Sequence, residues 1–249
     1  MSDDRCLAGI VFAVPVEADA FQRRVSDQTE TITEGLTFRE GRLAAGAEPK
    51  VAWCVGGVGE EPAARAARLL IVGHRPRQMI SAGFAGGLDP GLARGSLARP
   101  AGVCGQGAAH ESLPLVGGDE QGLMLVTVDR IVRTAAEKRA LAAATGAALV
   151  DMETLAVARV AHSERLACRG LRVISDAADD ELPPDLGRLI QPQSAARRVG
   201  AVLGMLGRRP RSAVDLWHLW ERAVVDGKTL AEGLVSILAE IAGDAAAEA

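Results

Sequence analysis

The chain has 249 residues, of which 48% are hydrophobic, 24% charged and 3% aromatic, a soluble composition long enough to bury the core of one α/β domain. Its net charge of −4 supplies no basic field for a nucleic acid partner, and no stretch reaches the roughly eighteen apolar residues needed to span a bilayer. Cys6, Cys54, Cys104 and Cys168 lack CxxC spacing, and the acidic start Met1-Ser2-Asp3-Asp4-Arg5 is unlike a secretory signal, so a reducing, cytoplasmic setting is expected.

Leu7 to Val14 is an apolar run closed by Pro15 and followed by Glu17, which predicts a strand buried on both faces and hence a largely parallel sheet. Val51 to Val55 predicts a second strand, closed by Gly56-Gly57-Val58-Gly59. Glu60-Glu61-Pro62 then opens an Ala-rich helix through Val72, because acids and proline suit a first turn. Gln78 to Ser81 predicts a strand that runs into a glycine turn, Ala82 to Pro90, and Gly122 to Val128 a strand ending at Asp129. A helix is expected from Thr134 to Thr145, a short strand from Ala147 to Val150, and a helix to about His162 with Asp151 as its N-cap. Leu171 to Ser175 is the last strand, with Asp176 at its carboxyl end.

In open α/β sheets, ligands bind beyond the carboxyl ends of the strands, and Glu17, Gly86, Asp129 and Asp176 all fall there. Gly57-Val58-Gly59 lacks the third glycine and the downstream acid of a dinucleotide fingerprint, so it reads as a tight strand-to-helix turn. Gly86-Gly87 allows a flat ligand to approach the backbone, or simply makes a turn. His74, His110, His162 and His218 have no metal-ligand spacing, so no metal site is expected. Glu153 and Asp176 stand beside apolar segments, where burial is costly unless the carboxylate is paired or protonated. Beyond Asp180, Glu181-Leu182-Pro183-Pro184 breaks the pattern. A helical tail follows, with Arg208-Arg209-Pro210-Arg211 and Trp217-His218-Leu219-Trp220.

Four ordered segments carry a resemblance: Gly9 to Glu17, Ala82 to Pro90, Val150 to Ala156, and Arg172-Val173-Ile174-Ser175-Asp176. Together they resemble the motifs of the nucleoside phosphorylase and nucleosidase superfamily, over about residues 8 to 180, and the methylthioadenosine/S-adenosylhomocysteine nucleosidase branch in particular. Asp129-Arg130, Ala135-Ala136-Glu137-Lys138, Thr145-Gly146-Ala147 and Asp179 to Pro184 are similar to the hopanoid-associated phosphorylases, taken to remove adenine from adenosylhopane. The implied fold is a three-layer α/β domain with a mixed, mainly parallel sheet flanked by helices. Residues 1–184 would form the catalytic part and 185–249 a helical C-terminal extension of the same domain.

The resemblance implies cleavage of the bond between ribose and adenine, which leaves positive charge on the sugar and negative charge on the base. By motif match, Asp176 would protonate purine N7, Ser175 would orient it, and Met152 and Glu153 would grip the ribose. Ala85, Gly86 and Ile131 would cradle the base. Glu17 would activate water, and Arg172 would lie near the nucleophile. Phe84 stands where many relatives have Ser or Thr, so water and phosphate both stay open as nucleophile. No cofactor is implied beyond phosphate as a co-substrate, and relatives are usually homo-oligomers. Methylthioadenosine/S-adenosylhomocysteine hydrolysis, a non-catalytic nucleoside-binding module and a dinucleotide-dependent oxidoreductase are the alternatives. Trp217 and Trp220 share a helix face beside basic residues, which fits either a peripheral membrane contact or packing on the domain.

Overall fold

The structure is a computed structural model that describes residues 5–43, 50–106, 111–183 and 210–247, the side chains of 210–220 and 246 excepted. The elements in chain order are β1 (Gly9–Phe12), α1 (Pro15–Gln22), β2 (Val25–Thr33), β3 (Leu36–Leu43), β4 (Val51–Val55), α2 (Glu60–His74), β5 (Gln78–Gly87) and β6 (Leu97–Ala98). They continue as β7 (Gly102–Gly105), β8 (Ser112–Pro114), β9 (Met124–Thr127), α3 (Ala135–Thr145), β10 (Leu149–Asp151), α4 (Thr154–Ser163), β11 (Ala167–Asp176) and α5 (Pro210–Ala247).

One sheet runs β2-β3-β4-β1-β5-β10-β9-β7-β8, with β11 added beside β5 and β6 beside β11. β5 is the branch point. It is parallel to β1 over Met79 to Ser81 and to β11 along nearly its whole length, while its last residues pair antiparallel with β10. The sheet is therefore mixed, with further antiparallel pairs at β2-β3, β3-β4, β7-β8 and β6-β11. Helices α1 and α5 cover one face, over Phe12, Trp53, Ile80 and Val173. On the other face α2 and α4 pack over Val11, Cys54, Met79 and Ile174. These are the three layers expected of an α/β domain that buries both faces of its sheet.

Ala82 to Gly87, expected as a glycine turn, continues β5 as regular strand paired with β11. Glycine there serves close approach within the sheet rather than chain reversal. The hairpin β2-β3 was not foreseen, because β2 is exposed along nearly its whole length and carries no apolar alternation. The C-terminal segment is more than an appendage: Leu230, Leu234, Ile237, Leu238 and Ile241 of α5 are buried in the core. Trp217 and Trp220 fall within α5, but their side chains, together with Arg208 and Arg209, lie outside the described residues. Among the described residues no helix is long and apolar enough to cross a membrane.

Candidate active site

A cavity of about 380 Å³ opens beyond the carboxyl ends of the central strands. Its walls are mostly apolar, with Val14 and Val16 at the start of α1, Val58 after β4, Phe84 on β5 and Val128 and Ile131 after β9. Five acids line it, Glu17, Asp151, Glu153, Asp176 and, on its far wall, Asp226.

Glu17 is 4% exposed and sits in the first turn of α1, where Pro15 begins the helix. One carboxylate oxygen accepts the backbone N–H of Ala13 at 2.9 Å and of Val14 at 3.0 Å, and the other accepts Phe84 N–H at 2.8 Å. Burial raises its pKa despite these donors and despite the nearby Arg172 guanidinium. The carboxylate is packed so closely against β5 that a Cβ on Gly83 would lie 2.6 Å from Glu17 Oε1. Gly83→Ala is therefore expected to dislodge Glu17 from its amide donors. Catalytic turnover should fall roughly 10²-fold if Glu17 is the base, while thermal unfolding moves by only a few degrees. Unchanged turnover would contradict the need for this seat.

Glu153 is the N-cap residue of α4 but makes no side-chain cap. Its carboxylate accepts Gly59 N–H at 2.7 Å. That contact requires the backbone of Gly59 at φ 101°, in the region glycine favours. Desolvation, reinforced by the negative charge of Asp151, pushes the Glu153 pKa up to about 8. Asp151, expected as the helix cap, is instead the buried last residue of β10. It does accept the N–H of Thr154 at 3.0 Å, but its larger engagement is with Arg172, whose Nη2 lies 2.7 Å away.

Arg172 is 2% exposed and does not line the cavity. Its guanidinium is also bonded to the Ser81 carbonyl at 2.8 Å, the Ser81 hydroxyl at 2.6 Å and the Thr154 hydroxyl. It lies behind the acids as a fixed counter-charge, and no donor of it is directed into the cavity through these bonds.

Ser175 and Asp176 close β11. In a regular strand consecutive side chains point to opposite faces, yet both residues line the cavity. The pairing with β5 explains this, since Ile174 is opposite Ala85 and Asp176 opposite Gly86, leaving Ser175 as the extra residue of a bulge. Ser175 Oγ donates to Asp176 Oδ1 at 2.6 Å. Lys138 Nζ, from α3, lies 2.6 Å from Asp176 Oδ2.

The far wall comes from α5, through Arg222, Ala223 and Asp226. Arg94 ties this wall to the strand end, with Nη2 2.8 Å from Asp226 and Nε donating to the Ser175 carbonyl at 3.0 Å. Away from the cavity, Cys6, Glu40 and His74 bring potential metal-ligand atoms together. There Lys50 Nζ is 2.8 Å from Glu40, and His74 Nδ1 is 3.1 Å from the same carboxylate, so its charge is already balanced by side chains.

A sequence profile of the Phosphorylase superfamily matches residues 8–121 and 120–204. The chain belongs to this superfamily. No curated protein matches the sequence. Solved structures share the fold of this superfamily member at low identity. A 5'-methylthioadenosine/S-adenosylhomocysteine nucleosidase from Helicobacter pylori superposes with a TM-score of 0.71 at 18% identity, covering 95% of this chain and 99% of the other. A futalosine hydrolase of the same organism gives 0.70 at 18% identity, covering 94% and 97%. The corresponding S. pneumoniae nucleosidase gives 0.69 at 17%, covering 93% and 97%.

Of the residues singled out in the sequence of this superfamily member, Glu17, Ala85, Gly86, Ile131, Met152, Glu153, Ser175 and Asp176 line one cavity. Arg172 stands behind it. Lys138, Arg94 and the α5 residues were not singled out for the site. Lys138 directly follows the capping box that Thr134 and Glu137 form at the start of α3, which places it on the helix but gives no signal that it is buried.

Proposed function

We propose that this chain cleaves the N-glycosidic bond of an adenine nucleoside, with adenosylhopane as the substrate favoured by the sequence resemblance. The observation that carries the reading is the convergence of Glu17, Glu153 and Asp176 on one apolar cavity. Asp176, with Ser175 on its Oδ1, gives a proton to purine N7 as the C1′–N9 electron pair leaves with the base. Ala85, Gly86 and Ile131 surround the base. Glu153 and Met152 hold the ribose. Water attacks C1′, its oxygen bonding to carbon while its proton passes to Glu17.

Two features favour water over phosphate. Arg172, the residue matched to the nucleophile site, is committed to Asp151, Ser81 and Thr154. Glu17 and Glu153 also line this cavity with carboxyl oxygens, which accept a hydrogen bond from a water and offer a phosphate no positive charge. The apolar walls at Val14, Val16, Val58 and Phe84 accept an uncharged 5′ substituent, and this supports a hopanoid or a methylthio group alike. Methylthioadenosine hydrolysis is accordingly the second reading.

Adenine release from adenosylhopane and from methylthioadenosine, each with and without phosphate, tests all of this. Release from adenosylhopane in phosphate-free buffer, unaffected by added phosphate, is the expected result. A strict requirement for phosphate would refute the hydrolytic step, and faster release from methylthioadenosine would replace the substrate. Nucleoside binding without release from either would identify a non-catalytic module.

A further inference from the structure

Helix α3 buries a lysine completely: Lys138 is 0% exposed. An ammonium taken out of water costs several kcal/mol unless its charge and protons are met. The carbonyl oxygens of Ala177 and, at 3.1 Å, Asp180 accept hydrogen bonds from it. Asp176 Oδ2, 2.6 Å away, meets it as an ion-pair contact rather than as an aligned hydrogen bond, and no other group bonds that oxygen. The turn carrying those carbonyls is closed without help from Lys138. Asp180 N–H donates to the Ala177 carbonyl at 3.1 Å, and the Asp180 carboxylate accepts Ala177 N–H at 2.8 Å. The turn therefore does not explain why a full positive charge has been buried. The one anionic partner that a charge serves better than a neutral donor is Asp176.

Asp176 is thus gripped on both oxygens, by the Ser175 hydroxyl on Oδ1 and the Lys138 ammonium on Oδ2. We propose that Lys138 is a positioning residue for the cleavage reaction, fixing the Asp176 carboxyl group and stabilising the carboxylate that forms when its proton goes to the purine. The inference rests on Asp176 being the acid. In the bond-breaking step the Asp176 O–H bond breaks and a purine N–H bond forms, while the C1′–N9 electron pair moves onto the base. Negative charge then appears on Asp176 beside an ammonium that is already in place, and the lysine keeps all its protons. A fixed charge in a water-poor site stabilises developing charge without reorganisation. Lys138 does not line the cavity, so its effect reaches the nucleoside through Asp176.

Three variants separate charge from packing. Lys138→Met removes both charge and hydrogen bonds. Lys138→Gln keeps a donor for the carbonyls of Ala177 and Asp180 without the charge, and Lys138→Arg keeps the charge. Adenine release should show kcat lowered roughly 10²-fold for Met and Gln, with KM within about 3-fold of wild type, and substantial recovery for Arg. A 4-nitrophenyl riboside, whose leaving group departs without a proton, should be cleaved by all variants at rates close to one another.

If Gln performs as well as wild type, or if Met lowers kcat only in step with a collapse in thermal stability that Arg shares, Lys138 is structural and the proposal is overturned. If the wild-type protein releases no adenine from any nucleoside, the assignment of Asp176 falls first. That outcome is distinct from active wild type with an indifferent Lys138.

Discussion

Asp176→Asn is expected to bind adenine nucleosides and to release adenine about 10²- to 10⁴-fold more slowly than wild type, the usual contribution of a positioned general acid. Asparagine keeps the shape of the side chain and can still meet Ser175, but it has no acidic proton to give to N7. KM should change little, because the cavity walls from Val14 to Ile131 are untouched. The same substitution should also cost stability. In the substrate-free protein, before Asp176 takes up the proton destined for the base, its carboxylate is the ion-pair partner of the wholly buried Lys138 at 2.6 Å, and removing one partner of such a buried pair typically costs about 3–5 kcal/mol. The double variant Asp176→Asn/Lys138→Met, which removes both charges, should therefore unfold at a higher temperature than Asp176→Asn alone. Undiminished adenine release by Asp176→Asn would refute its role as the acid, and an unchanged melting temperature would refute the strength of the pair.

Glu153→Gln should separate function from stability. The pKa of Glu153 is pushed up to about 8, by desolvation first and by the Asp151 charge second, from an ordinary 4.5. Between those values the folded protein holds a proton that the unfolded chain has released. Stability is thus intact below about pH 4.5 and declines as the pH climbs to about 8. Glu17, also raised by burial, acts in the same direction. Glutamine carries no such penalty. Glu153→Gln should match wild type in melting temperature near pH 4 and exceed it near pH 9 by roughly 5–10 °C, given a few kcal/mol across this window. If Glu153 acts on the ribose as proposed, activity should nevertheless fall by about 10²-fold, since the amide cannot give up a proton to face the cationic sugar as an anion. A melting temperature that responds to pH in the same way in both proteins would show that Glu153 is not the group responsible. The acid is thus kept at the expense of stability.

The acids of the cavity were legible in the sequence because a carboxylate beside a buried strand has few structural reasons to be there. Glu17, Glu153 and Asp176 each follow an apolar run, and all three face the cavity. The apolar strands β1, β4 and β11 were legible for the same reason of uninterrupted burial. That Arg172 stands behind the cavity wall was not legible because its surroundings depend on β5 and β10, which meet it only in three dimensions. Its partners Ser81 and Asp151 are far away in sequence. Asp151 sat two residues from the true cap, and its ion pair is equally non-local. Lys138 was hidden by helix geometry, since a lysine in an Ala-rich helix is ordinarily a solvated residue. The glycines of β5 misled for a local reason. Their spacing suits a turn, whereas the carboxylates of Glu17 and Asp176 pack against the strand at Gly83 and Gly86.

The bulge at Ser175 has a consequence for how this site tolerates change. Ile174 and Asp176 oppose adjacent residues of β5, and one supernumerary residue swings both Ser175 and Asp176 toward the cavity. The direction of the acid is then set by residue count as much as by residue type. Substitutions along β11 can be absorbed by repacking, but losing one residue there would return the ladder to strict alternation, and gaining one would add a second unpaired residue; either change re-aims the carboxyl group. The spacing between Leu171 and Asp176 is for this reason a fixed length, held by the arithmetic of the ladder.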